Sequence, residues 1–200
     1  MKIAKKEGLH GKFLNVNHDL GRSYLQDMNF FLDWSLQNRL EMIKVILSAL
    51  GLNFKQINDI IKKSLINETH NHAMVWDAKH VVHRKGATPA EEGQYGIIPG
   101  NMRDGTYITL GLGNREYLSS ASHGAGRLLG RKEAKRKFSK KQVEDMFKGY
   151  DVYTEITDDV IDECPEAYKS LERVINYQRG IVVDVIDHII PLVVVKGTGA

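Results

Sequence analysis

Residues 21–50 read GRSYLQDMNFFLDWSLQNRLEMIKVILSAL, a long stretch without a proline. Apolar side chains recur in it at three- and four-residue spacing: Tyr24, Met28, Phe31, Trp34 or Ser35, Leu36, Ile43, Ile46 and Leu50. That periodicity predicts one long helix with a single broad buried stripe. Gly51 supplies its stop, because glycine enters left-handed backbone without a Cβ penalty. A second helix is predicted over 54–64.

Outward from these helices the signal changes. From 66 to 122 come short extended runs: HAMVW (72–76), HVVH (80–83), YGIIPG (95–100) and TYITLGLG (106–113), divided by Gly, Pro, Asn and Asp. Helices resume after Gly126, and SKKQ (139–142) reads as a capping box. AYKSLERVINYQ (167–178) reads as helix, a further helical turn is expected near 182–188, and PLVVVKG (191–197) is expected to close the chain as a buried strand. Helices flanking an irregular β core define an α+β fold. With no repeat and no clear linker, residues 1–200 are expected to form one domain.

Composition narrows the function classes. The chain has 200 residues, 42% hydrophobic and 26% charged, enough to bury a core of its own. No apolar run approaches the roughly 20 residues that span a bilayer. The polar N-terminus is no signal peptide, so a cytoplasmic location without a membrane partner is expected. Cys164 is the single cysteine, which excludes an internal disulfide and a Cys-rich zinc knuckle. The net charge of +3 is unevenly spread: Arg127, Arg131, Lys132, Lys135, Arg136, Lys137, Lys140 and Lys141 face a lone Glu133, while 155–166 is acidic. A local basic stripe suits a polyanion, although a solvated helix face reads the same way.

Four stretches carry candidate chemistry. SSASHGAGRLLGR (119–131) sets His123 on bare backbone, with small residues on both sides and basic ones following. ETHNHA (68–73) has two histidines at period two, on one face of a strand, where imidazoles can ligate a metal or bond a carbonyl. The tripeptide His-Asn-His is not the dispersed ββα-metal unit of HNH nucleases. HRKGATPA (83–90) places Arg84 and Lys85 ahead of a turn able to hold phosphate, and IIPGNMRDGT (97–106) is a donor-rich loop able to wrap a nucleotide. Neither the P-loop nor the dinucleotide-binding glycine fingerprint occurs.

In this order, His-Asn-x-Ala, His-Arg-Lys-Gly-Ala-Thr, Ile-Pro-Gly-x-Met, Ser-x-x-x-His-Gly-Ala-Gly-Arg, Pro-Glu-Ala-Tyr-Lys and a terminal Val-Val-Lys-Gly resemble the RtcB family of RNA ligases. The resemblance runs from about residue 15 to 197 and includes the long helix. It implies an RtcB-like mixed fold and a GTP- and Mn2+-dependent ligase. Such enzymes join 3′-phosphate or 2′,3′-cyclic phosphate RNA ends to 5′-hydroxyl ends through a histidine–GMP intermediate, in tRNA splicing or RNA repair. His123 is then the catalytic nucleophile, with Gly124, Ala125 and Gly126 around the nucleotide. The resemblance further assigns His70 to manganese and to the GTP site, with Asn71 beside the nucleotide. Pro99, Gly100, Asn101, Met102 and Thr106 would line the guanylate pocket, Tyr168 would pack near the base, and Lys196 would contact the guanine nucleotide. Arg84, Lys85, Arg127 and Arg131 would hold RNA or triphosphate phosphates.

The departures are equally specific. The family carries an N-terminal half with Asp-x-Gly-Cys and Gly-Asn-His-Phe motifs that supply most manganese ligands, and neither occurs here. His72, His80 and His83 are spare imidazoles without family support. Pro89 stands where arginine is common, and Asn101 where serine is frequent. The chain therefore reads as the C-terminal half of such a ligase, completed by a separate chain or present as a fragment. A catalytically silent RNA-binding remnant is the competing reading.

Overall fold

The computed structural model describes residues 14–195. Helix α1 spans Asp19–Ala49 and α2 spans Phe54–Ser64. Gly51 ends the first as expected, at φ +87° with its amide donating to Ser48 O at 2.9 Å. Asn53 and Gln56 close a reciprocal capping box on the second. The strands are β1 (Asn71–Val75), β2 (Val81–Lys85), β3 (Ala87–Pro89), β4 (Tyr95–Pro99), β5 (Thr106–Gly111), β6 (Ser120–Ser122), β7 (Val152–Tyr153), β8 (Val183–Ile189) and β9 (Val194–Val195). Later helices are α3 (Arg131–Lys137), α4 (Lys140–Met146), α5 (Asp158–Ile161) and α6 (Leu171–Asn176). The α+β expectation holds, as does the SKKQ box, where Ser139 and Gln142 cap each other's backbone.

The described residues divide into two compact units, one running to residue 67 and taking in 72–81, the other made of 68–71 and the residues from 82 onward. In the first, α1 and α2 pack together and the Met28 sulfur accepts the Ala73 amide at 3.2 Å. The expected single buried stripe is not what α1 shows. Met28, Ser35, Leu36 and Ile43 are half-buried, but Tyr24, Phe31, Trp34, Ile46 and Leu50 stand open to solvent. The helix is apolar on two faces, and its unit covers only one.

In the second unit β4–β5–β8 form an antiparallel sheet, β3 pairs with β6, and β7 runs parallel to β9. One core cluster joins Ile98, Tyr107 and Val183 of the sheet to Leu171 and Ile175 of α6. Another packs α3, α4 and α5 around Ala134, Val143, Val160 and Cys164, all at 0% exposure. Two expectations are corrected here. Residues 183–189 form β8 rather than a helical turn, because their backbone pairs with β5 from Thr106–Ile189 to Gly111–Val183. The described part of PLVVVKG, residues 191–195, is no buried strand: among those residues only Val194–Val195 pair, and Leu192 is 89% exposed.

A histidine in a glycine-rich loop as the candidate active site

β6 delivers Ser122, and the chain then runs through His123, Gly124, Ala125 and Gly126. The loop is held from three sides. Ala125 N donates to Pro99 O at 2.8 Å, Ser122 N donates to Gln178 Oε1 at 2.8 Å, and Gly126 O accepts from Lys169 N at 3.0 Å. A Cβ on Gly124 would lie 2.9 Å from the Pro99 oxygen, so only glycine lets the loop settle against the end of β4.

His123 is exposed, and its Nδ1 lies 2.7 Å from Gly86 O. A carbonyl oxygen only accepts, so Nδ1 must carry the proton, and the neutral ring keeps its lone pair on Nε2. Gly86 sits at φ +72°, in left-handed backbone that favours glycine. Its amide donates to His70 O at 2.8 Å and to Asn71 Oδ1 at 3.3 Å. The His70 ring stacks on His123, nearly parallel at 9° with centroids 5.2 Å apart. The glycine of HRKGAT thereby gathers three residues singled out in the sequence: His70, Asn71 and His123.

The loop also keeps unused donors. The amides of Gly124 and Gly126 have no backbone acceptor among the described residues, and the space where a Gly126 Cβ would sit is open. An exposed imidazole lone pair beside free amides is a chemistry suited to a nucleophile meeting an anionic electrophile.

A manganese centre is a different matter. Among the described residues no three His, Cys, Asp or Glu side chains gather closely enough to hold a metal ion. His80 instead pairs with Asp77, Nδ1 to Oδ1 at 2.8 Å. Manganese requires several nitrogen or oxygen donors, so His70 does not make a site with the groups described here.

The other residues singled out are placed as follows. Pro99 touches the histidine loop, and Thr106 lies opposite it in the β4–β5 register. The hairpin turn uses its own polar groups: Asn101 Oδ1 accepts from Arg103 N and Asp104 N, and its Nδ2 donates to Asp104. Gly100 leaves room for Leu171, and Met102 packs against the cluster around Cys164. Arg84 is buried, its Nε donating to Ser120 Oγ at 2.9 Å and its Nη2 to the carbonyls of Leu118 and Ser119. It serves as internal scaffolding for β6, while Lys85 on the same strand is exposed. Lys196 lies outside the described residues.

The acidic segment does not lie apart from the basic one. α5 packs on α3, and Glu163 takes both Arg127 (3.2 Å) and Arg131 (3.5 Å), while Lys135 meets Asp159 (3.1 Å) and Asp162 (3.6 Å). Arg127 Nη2 also donates to Asp162 O, and the Tyr168 hydroxyl donates to Glu163. Burial first, and the Glu163 hydrogen bond second, push the Tyr168 phenol up to about 12. Arg127 and Arg131 thus already have anionic partners within the protein, while Lys132, Arg136, Lys137, Lys140 and Lys141 form no ion pair among the described residues.

Two features escaped the sequence reading. A cavity of about 850 Å³ opens beside Tyr168, walled by Arg103, Tyr107, Tyr150, Lys169 and His188, with Tyr107 and His188 stacked at 4.0 Å. Its members come from five separate stretches, so no local motif marks them. Glu68 accepts from Ile97 N at 3.2 Å, while its Oε1 is buried without a partner. Burial raises that carboxyl to about 7. Its one signal was a period-two spacing to His70.

These features define an α+β chain built around an exposed histidine in a glycine loop, braced by a second histidine. The chain belongs to the RtcB family: the family described as tRNA-splicing ligase RtcB matches residues 10–197. It is 47% identical to the RNA-splicing ligase RtcB of Escherichia coli K12 over 58% of this chain and 28% of the relative. It is 30% identical to the tRNA-splicing ligase RtcB of Methanococcus maripaludis, over 91% of this chain and 43% of the relative. With the RNA-splicing ligase RtcB of Mycobacterium bovis it shares 31% identity over 88% of this chain and 45% of the relative. The chain therefore spans less than half the length of the curated relatives it matches. Among the described residues no helix is long and apolar enough to cross a membrane.

Proposed function

We propose that this chain is the nucleophile-bearing part of a GTP-dependent RNA ligase that joins 3′-phosphate or 2′,3′-cyclic phosphate ends to 5′-hydroxyl ends. The observation that carries the reading is the His123 Nδ1–Gly86 O contact, which fixes the tautomer and leaves Nε2 free to attack. Nε2 forms a bond to the α-phosphorus of GTP as the bond to the bridging oxygen breaks and pyrophosphate leaves. The proton stays on Nδ1, donated to Gly86 O, and that hydrogen bond stabilises the positive charge that develops on the ring. The amides of Gly124 and Gly126 hold the phosphoryl oxygens. An oxygen of the RNA 3′-phosphate then displaces His123 from phosphorus, and the 5′-hydroxyl displaces GMP from the activated end.

His70 stacks on the nucleophile and would supply one imidazole to manganese, with the other donors coming from the remainder of the ligase. Tyr168 and the cavity beside it would receive the base, and Lys196 would contact the guanine nucleotide. RNA tracks the lysines of α3 and α4. A cytoplasmic setting accords with this chemistry.

The test is incubation with α-labelled GTP and manganese, with and without the rest of an RtcB ligase, followed by denaturation. Acid-labile, alkali-stable label on the parent, reduced to background in His123→Ala with an unchanged Tm, is expected. Label retained in His123→Ala removes His123 from the mechanism. No label under either condition, with RNA binding intact, would favour the silent RNA-binding reading, for which the unpaired lysines suffice.

A further inference from the structure

Helix α1 presents two apolar faces. At 100° per residue, Tyr24, Phe31, Trp34, Met42, Val45 and Ile46 share an arc of about 120°, centred roughly 120° from Leu32, Leu36 and Ile43 on the half-buried side. All six are between 50% and 68% exposed. They run for roughly 33 Å along the helix and expose on the order of 600 Å² of side chain, the upper range for the largest patch on a monomer. At its C-terminal end the stripe leads into a groove of about 670 Å³ between α1 and α2, lined by Val45, Leu52 and Phe54, with Phe54 75% exposed.

We infer that this second face of α1 is the docking surface for the part of an RtcB ligase that this chain does not match, an inference that rests on the family reading above. A helix with two separate apolar faces belongs to an interior, with both faces covered. Relatives that match 88–91% of this chain use only 42–45% of their own length to do so. Each therefore carries a further stretch longer than the shared one, and a helix equivalent to α1 lies in the shared part. The stripe also disfavours the other polymers at hand. Within its arc the polar residues are Asp27, Ser35 and Asn38, with no Lys or Arg to meet a nucleic-acid backbone or an anionic lipid surface. The covering surface must therefore be apolar protein. Docking there would set the missing metal donors within the same assembly as His70.

The test is co-expression of the full 200-residue chain with the portion of the M. maripaludis ligase outside the matched region. A one-to-one complex by light scattering is expected for the parent. The combined variant Phe31→Glu, Trp34→Glu, Val45→Glu should bind at least a hundredfold more weakly, with unchanged helix content by circular dichroism, while Lys132→Glu should bind like the parent. No complex with the parent, or equal binding by the face variant, overturns the inference. So does a dimer of this chain alone that the same substitutions dissolve. His123→Ala separates the two claims: it should keep the complex and lose the GTP label. A complex that never labels leaves the docking surface standing and sinks the catalytic reading; labelling without a complex does the reverse.

Discussion

Around His123 every fixing contact closes inside one unit. Pro99 and Lys169 hold the backbone, Gly86 holds Nδ1, and His70 covers the ring. Along α1 the reverse is seen: a row of large apolar side chains that runs along the helix is left facing solvent. Both regions are written plainly in the sequence, but a loop that positions a functional group must be rigid in itself, whereas a helix face can be completed by something else. Periodicity reports that a surface will be covered and is silent on what covers it.

The largest effect that can break this contrast compares α6 with α1. Ile175 is fully buried in α6, and Ile175→Ala should cost about 2–5 kcal/mol in urea unfolding, the range for a truncated core side chain. Trp34 is larger but 60% exposed, so Trp34→Ala should change the stability of this chain by less than about 0.5 kcal/mol. A loss at Trp34 comparable to that at Ile175 would show that the stripe is already buried in solution.

A smaller effect sharpens the other side. Gly124→Ala puts a methyl 2.9 Å from the Pro99 oxygen and should cost about 1–3 kcal/mol through forced separation of loop and strand. Gly126→Ala meets no atom and carries only the left-handed backbone strain at φ +72°, about 1 kcal/mol. Thermal melts of the two variants check the order. Equal losses would mean that the loop is not seated on β4.

The same physics explains what could and could not be read from the sequence. Helix α2 was legible to its end residues because Asn53 and Gln56 form a local cap, and SKKQ for the same reason. The His123 motifs were legible because each short stretch places its own backbone. β8 was not: its register against β5 shifts between Ile108 and Thr109, where Asp187 and then Val185 pair, so Ile186 is an extra residue that breaks the two-residue alternation. A strand defined by a partner some 75 residues away carries no local signature when a bulge scrambles its period. The scaffolding role of Arg84 and the pairing of 158–163 with α3 were illegible for a related reason, since charge in a sequence does not say which opposite charge it will meet.

That last pairing sets the smallest prediction. The basic segment reads as one stripe but is physically two populations. Lys135 is held by Asp159 and Asp162, and the Asp159 hydrogen bond raises its ammonium above the ordinary lysine range. Lys132 and Lys140 are exposed and have no such partner among the described residues. Each phosphate contact removed should lower the salt slope of single-stranded RNA binding by about 0.7. Lys132→Glu with Lys140→Glu should therefore flatten the slope by about 1.4 with little change in Tm. Lys135→Glu should instead set a carboxylate against two aspartates and loosen the packing of α3 on α5. Cys164, fully buried nearby with its thiol pushed up by burial, reports that loosening: alkylation should be slow in the parent and in the double variant, and faster in Lys135→Glu. If Lys135→Glu flattens the salt slope as strongly as the others and leaves Cys164 protected, the ion pairs with the acidic segment do not hold in solution, and the whole stripe is free for RNA.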